Sequence, residues 1–128
     1  MRQIWAQTSF FRVEPGEDEQ TNPGCYGREL ANWLAEKLRS RGESVHEVLA
    51  EDWGWCVMLK RSPYLLWIGC SNRAGRTDEW GAFVAAELGV FQKLFRRPDT
   101  QPTTDRIQRM LLEIMKEIPG VARVWIEG

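Results

Sequence analysis

Glu51-Asp52-Trp53-Gly54-Trp55, continued by Cys56-Val57-Met58-Leu59-Lys60, is the stretch on which the fold turns. Two carboxylates meet two indoles, with a glycine between the rings. Carboxylates favour water, indoles favour burial with a partner for the N–H, and glycine permits a backbone path that other residues avoid. The segment therefore reads as a polar corner at the entrance to a strand. Trp53, Trp55, Val57 and Leu59 alternate with Gly54, Cys56, Met58 and Lys60. That is strand period, and it predicts one common face for the two indoles. Arg61-Ser62-Pro63 is turn chemistry, and Tyr64 to Cys70 makes the return strand, with Leu65, Trp67 and Gly69 on one side. Together these features predict a hairpin.

Upstream of the hairpin, Leu30, Trp33, Leu34 and Leu38 recur at helical spacing, with Tyr26 one turn earlier. Asn22-Pro23 offers a cap and a first-turn proline, Lys37, Arg39 and Arg41 suit the negative end of the dipole, and Gly42 is a natural stop. Val45 to Ala50 reads as extended chain leading into the corner. Gln3 to Val13 alternates loosely and predicts a first strand, with Trp5, Phe11 and Val13 on one face and Ile4, Ala6 and Phe10 on the other. The segment Glu14 to Gln20 carries four acids and reads as an exposed polar loop, a candidate steering surface for a basic partner.

Downstream, Ser71 to Asp78 is polar and contains glycine, so it reads as a loop. Trp80 to Phe95 fits two periods. A helix would use Trp80, Phe83, Val84, Leu88, Phe91 and Phe95, but Gly81 and Gly89 weaken it. The reading adopted is a strand to about Ala86, then a short helical turn ending near Arg97-Pro98. Thr103 or Thr104 caps a last helix whose stripe is Ile107, Met110, Leu111, Ile114 and Ile118. Pro119-Gly120 ends it, and Val121 to Ile126 alternates as a closing strand containing Trp125. The sum is one α+β domain over residues 1–128. It has a mixed or mainly antiparallel sheet, two main helices on one face, and the order β-α-β-β-β-(β)-α-β.

Composition narrows the function. The chain has 128 residues and a formal net charge of −1, so it offers no basic face for nucleic acid. The short sets Arg73 with Arg76, and Lys93 with Arg96 and Arg97, read as solvated surface. The three cysteines Cys25, Cys56 and Cys70 form no C-x-x-C pair, and a single histidine, His46, excludes a multi-histidine metal site. No cofactor or metal is expected. No window approaches a membrane span of about 20 apolar residues, and the N-terminus lacks the apolar run of a signal peptide. The expected compartment is the cytoplasm. Seven Trp, five Phe and two Tyr point to an aromatic core.

The chain resembles a family of small, uncharacterised bacterial proteins. They share a Trp-Leu helix ending in glycine, an E-D-W-G-W strand, a return strand near an Ile-Gly pair and a late Trp. The matching residues here are Trp33-Leu34, Gly42, Glu51 to Trp55, Ile68-Gly69, Trp80, Leu94-Phe95-Arg96-Arg97 and Trp125. The resemblance runs from about Leu30 onward and implies a strand at Trp80 and a bacterial cytosolic origin. It carries over no catalytic residue.

Three uses of the corner follow. A non-enzymatic protein-binding domain, for example an inhibitor or immunity-type partner of a basic toxin, fits the small size, the acidic loop and the absence of a catalytic constellation. A small-ligand domain would hold a cationic group with Glu51, Asp52, Trp53 and Trp55, through charge and ring faces. Last comes a carboxylate enzyme, because adjacent Glu51 and Asp52 on a strand point to opposite faces. A Cys56–His46 nucleophile lacks an orienting third group. Oligomeric state is not legible in these residues.

Overall fold

Alternation and helical spacing become real elements in the computed structural model, which describes residues 2–95 and 97–128. In chain order these are β1 (Gln3–Gln7), α1 (Arg28–Ser40), β2 (Glu47–Glu51), β3 (Gly54–Lys60), β4 (Leu65–Asn72), β5 (Glu79–Glu87), α2 (Val90–Leu94), α3 (Gln101–Met115) and β6 (Arg123–Glu127). The strands form one sheet in the order β2-β3-β4-β5-β1-β6. Every pairing is antiparallel. This is an α+β fold with α1 and α3 on one face of the sheet. Trp80 to Phe95 resolves as expected, into strand β5 and then the short helix α2.

Between the helices and the sheet lies the core. Leu30, Leu34 and Leu38 of α1 and Ile107, Leu111 and Ile114 of α3 meet Ile4, Trp55, Val57, Ile68 and Trp80. Helix α1 ends in a left-handed glycine. Gly42 sits at φ +87°, and its N–H bonds the Arg39 carbonyl at 3.0 Å while that of Glu43 bonds the Leu38 carbonyl at 3.0 Å. This pair of bonds satisfies carbonyls that the helix end leaves free.

Several expected boundaries move. Strand β1 stops at Gln7 rather than Val13, because the Thr8 hydroxyl accepts the Phe10 N–H at 3.1 Å and turns the chain away. Phe11 then swings under the sheet, edge-on to Trp33 and Trp80 at 5.7 and 5.9 Å. It therefore packs on the helix side, opposite Trp5. Helix α1 begins at Arg28, not at Asn22-Pro23, which lie in a turn closed by the Cys25 N–H on the Asn22 carbonyl. Helix α3 begins at Gln101 after Thr100, so Thr103 and Thr104 lie in its first turn, alongside Pro102.

The acidic loop is less free than its composition suggests. Glu17 is only 1% exposed. Asp18 accepts the Gly24 N–H at 3.0 Å, and Glu14 pairs with Arg28 at 3.1 Å. Charge there is spent on backbone donors and one internal ion pair, which weakens its use as a steering surface. Ser71 and Asn72 also belong to β4 rather than to the following loop. Asn72 is buried and fully used: its carbonyl oxygen accepts the Tyr26 N–H, and its amide donates to the Gly24 and Arg76 carbonyls.

Candidate functional site

The helices cover only one face of the sheet. The other face carries Leu49, Cys56, Met58, Leu65, Trp67, Gly69, Gly81, Phe83, Trp5 and Trp125, as the register requires. Aromatic rings roof this face by lying over glycines. A β-carbon at Gly81 would stand 2.7 Å from the Trp5 ring, and one at Gly69 would stand 2.5 Å from Phe83 and 2.9 Å from Trp53.

The two halves of this face differ in charge. Over β1, β5 and β6, the Arg73 guanidinium lies 4.1 Å from the Trp5 ring centroid and bonds Glu79 at 2.7 Å and also Glu127. The Trp125 indole N–H donates to Glu127 at 2.7 Å, and this bond, with help from Arg73, holds the Glu127 carboxyl below its ordinary range. Arg76 pairs with Asp78 at 2.9 Å. Arg73 and Arg76 are thus engaged within the chain. Arg96, the middle member of the second basic set, lies outside the described residues, as does Met1.

Over β2, β3 and β4, Glu47 is paired with Arg61, while Glu51 stands exposed. A depression of about 280 Å³ is lined by Glu51, Trp53, Cys56, Met58, Leu65, Trp67 and Glu87. Glu51 pairs with Gly54 across the hairpin, leaving Asp52-Trp53 as its two-residue turn. Gly54 is required there: its φ is +152°, and a β-carbon would stand 2.4 Å from the Cys70 carbonyl oxygen. The turn folds Trp53 back over the open face, where its ring stacks on Trp67 with centroids 5.5 Å apart and planes at 28°. Phe83 closes the cluster at 5.8 Å from Trp53.

The four expected corner residues are therefore split. Glu51 and Trp53 line the depression; Asp52 stands exposed at the turn, outside that lining. Trp55 lies on the opposite face, buried against the helices, with the Arg28 guanidinium 5.5 Å from its ring. The expected common face for Trp53 and Trp55 fails because Trp53 belongs to the turn and not to the alternating strand. Trp67, Glu87, Met58 and Leu65 complete the site instead. Leu65, Trp67 and Gly69 were legible as one face of the return strand, but Glu87 joins them only through the pairing of Leu65 with Glu87.

Cys56 and Cys70 are shielded by their placement. Cys70 lies on the helix face and Cys56 on the open face, both buried and free. Burial pushes the Cys56 thiol up to about 11, with the charge of Glu51 adding to it. Burial pushes the Cys70 thiol up as well. A thiolate nucleophile needs the opposite shift. His46 is exposed and lines a different depression with Glu43, Lys60 and Arg106, so it does not serve Cys56. Among the described residues, no three His, Cys, Asp or Glu side chains gather as a metal-binding group. No described helix is long and apolar enough to cross a membrane.

Beside the depression stands α2. Val90, Phe91, Leu94 and Phe95 are 71–74% exposed. Gln92 ties the helix down, accepting the Gly89 N–H at 2.9 Å and donating to the Pro63 carbonyl. Compared with known proteins, the chain matches no family model, no curated protein and no solved structure.

Proposed function

We propose that this chain is a non-enzymatic protein-binding domain whose docking face is α2 together with the adjoining acidic half of the open sheet face. The observation that carries this reading is the outward display of Val90, Phe91, Leu94 and Phe95, with Phe91 and Phe95 rings 4.8 Å apart. Full burial of each such side chain is worth about 1.5–3 kcal/mol, which the isolated domain leaves unused. Contiguous exposed apolar side chains of this kind, rimmed by polar residues, characterise interaction surfaces.

The resemblance to small bacterial proteins supports a bacterial, cytoplasmic setting. An inhibitor or immunity-type role toward a basic partner is the more specific version, supported by the uncovered carboxylates of Glu51, Asp52 and Glu87. Capture from the native cell at low and high salt tests the reading. A stoichiometric partner retained by the wild type and lost by the Phe91→Asp/Leu94→Asp variant supports it; equal retention by both sinks it. A second reading, a small cationic ligand at the acidic corner, is favoured by the depression itself, with Trp67 and Glu87 in place of Trp55 and Asp52.

A further inference from the structure

The depression on the open face has an apolar floor of Met58, Leu65 and Trp67 and a carboxylate toward each end, Glu51 and Glu87. Arg61, the neighbouring base, is engaged by Glu47 at 2.6 Å. Glu51 and Glu87 therefore outnumber the one neighbouring base, whose charge opposes them only in part. The field reaches Cys56 at the base, whose thiol is held up first by burial and then by Glu51, with Arg61 opposing and Glu87 and Glu47 adding smaller pushes upward. Trp53, 38% exposed, presents an indole beside Glu51. A cation is attracted by a carboxylate and by an aromatic face together, and the stem of a long basic side chain packs on apolar surface.

We propose that this depression seats a lysine or arginine side chain of the partner polypeptide, its stem over Met58, Leu65 and Trp67 and its cationic head at Glu51 beside Trp53. A polypeptide is favoured over a free amine by continuity. A second depression of about 340 Å³ shares Leu65 and Glu87 with the first and runs on to Leu88, Phe91 and Gln92 of the α2 region. One extended segment covers both, placing a basic residue in the first and an apolar residue against Phe91. A free diamine would leave the second depression and the phenyl rings of α2 uncovered. The inference rests on the protein-binding reading and names the chemistry that the partner brings.

The test is a titration of the whole chain, followed by the indole N–H signals of Trp53 and Trp67 and the methyl signal of Met58. The probes are Nα-acetyl-lysine methylamide, its neutral counterpart Nα-acetyl-norleucine methylamide, cadaverine, and an acetylated Leu-Lys-Leu tripeptide. The expected result is saturable shifts with the lysine derivative, tighter binding of the tripeptide, and at least about tenfold weaker binding to Glu51→Gln/Glu87→Gln, whose side chains stand at the surface. Phe91→Asp/Leu94→Asp should keep the lysine shifts while losing the advantage of the tripeptide. Equal response to norleucine, tighter binding of cadaverine than of the tripeptide, or no response at these three residues overturns the proposal. Loss of that response with partner capture intact overturns this seat alone; lysine binding without any partner dependent on α2 overturns the docking reading instead.

Discussion

Glu17 Oε2 accepts the N–H of Gly27 at 3.0 Å, tying a loop carboxylate to the first turn of α1. The same oxygen accepts the Arg28 N–H at 3.1 Å, and Oε1 accepts the Glu14 N–H at 2.9 Å. A buried carboxylate thus meets three backbone donors, two of them at a helix N-terminus that favours negative charge. Gly27 has no side chain to cap the helix, so Glu17 supplies what a local Ser or Asp usually does.

Replacing Glu17 by alanine should therefore cost about 2–3 kcal/mol, because three donors lose their acceptor in a site closed to water. Glutamine keeps one carbonyl oxygen and should cost about half as much. Urea unfolding of the two variants measures both. An alanine variant within about 0.5 kcal/mol of wild type would show that water replaces the cap freely.

Gly54 and Gly69 both lack room for a β-carbon, but for different reasons. At Gly54 the obstacle is the backbone carbonyl of Cys70 at 2.4 Å, with an unfavourable φ of +152°. At Gly69 the obstacles are the rings of Phe83 and Trp53, which can move outward. Gly54→Ala should cost more than about 3 kcal/mol, through backbone displacement as well as crowding. Gly69→Ala should cost about 1–2 kcal/mol and alter the near-ultraviolet circular dichroism as the Trp53–Trp67 stack shifts. Reversal of that order would mean that the hairpin, not the ring cluster, is the pliable part.

The contrast between these glycines also marks what is legible in the sequence. Alternation over Trp55, Val57 and Leu59, the stripe of α1 and the stop at Gly42 each depend on neighbours within one element, and all are found as expected. Trp53 escapes this logic because a two-residue turn breaks the alternation, one residue before the strand begins. Glu17 escapes because its partners at the helix start lie ten and eleven residues away, with no periodic signal between them. Glu87 reaches the depression only through strand pairing across 22 residues from Leu65 (87 − 65). The apolar spacing of α2 reads as core by every local rule; only the fold reveals that nothing in the described chain covers it.

Buried thiols couple stability to alkaline pH. Below the ordinary thiol value of about 9, Cys56 and Cys70 are protonated in both folded and unfolded chains and add no pH dependence. From there to about 11, the unfolded chain releases both protons while the folded chain keeps them. The folded state then binds more protons, so stability falls as pH rises, by about 1.4 kcal/mol per unit for each thiol. Cys70→Ala should remove about half of that thiol-dependent slope. The measurement is the difference in urea midpoint between wild type and variant on either side of pH 9; parallel lines there would refute the coupling.

The sharpest contrast lies between α2 and α3. Leu111 is fully buried between α3 and the sheet, so Leu111→Ala should cost about 2–5 kcal/mol through lost transfer energy and the cavity left behind. Phe91 and Leu94 are each 71% exposed, and their replacement by aspartate removes little folded-state contact. Phe91→Asp/Leu94→Asp should therefore unfold within about 0.5 kcal/mol of wild type per site. It should also bind less of a fluorescent dye that reports exposed apolar surface. If the α2 variant instead loses as much stability as Leu111→Ala, these side chains serve the fold, and the docking face must be sought on the sheet alone.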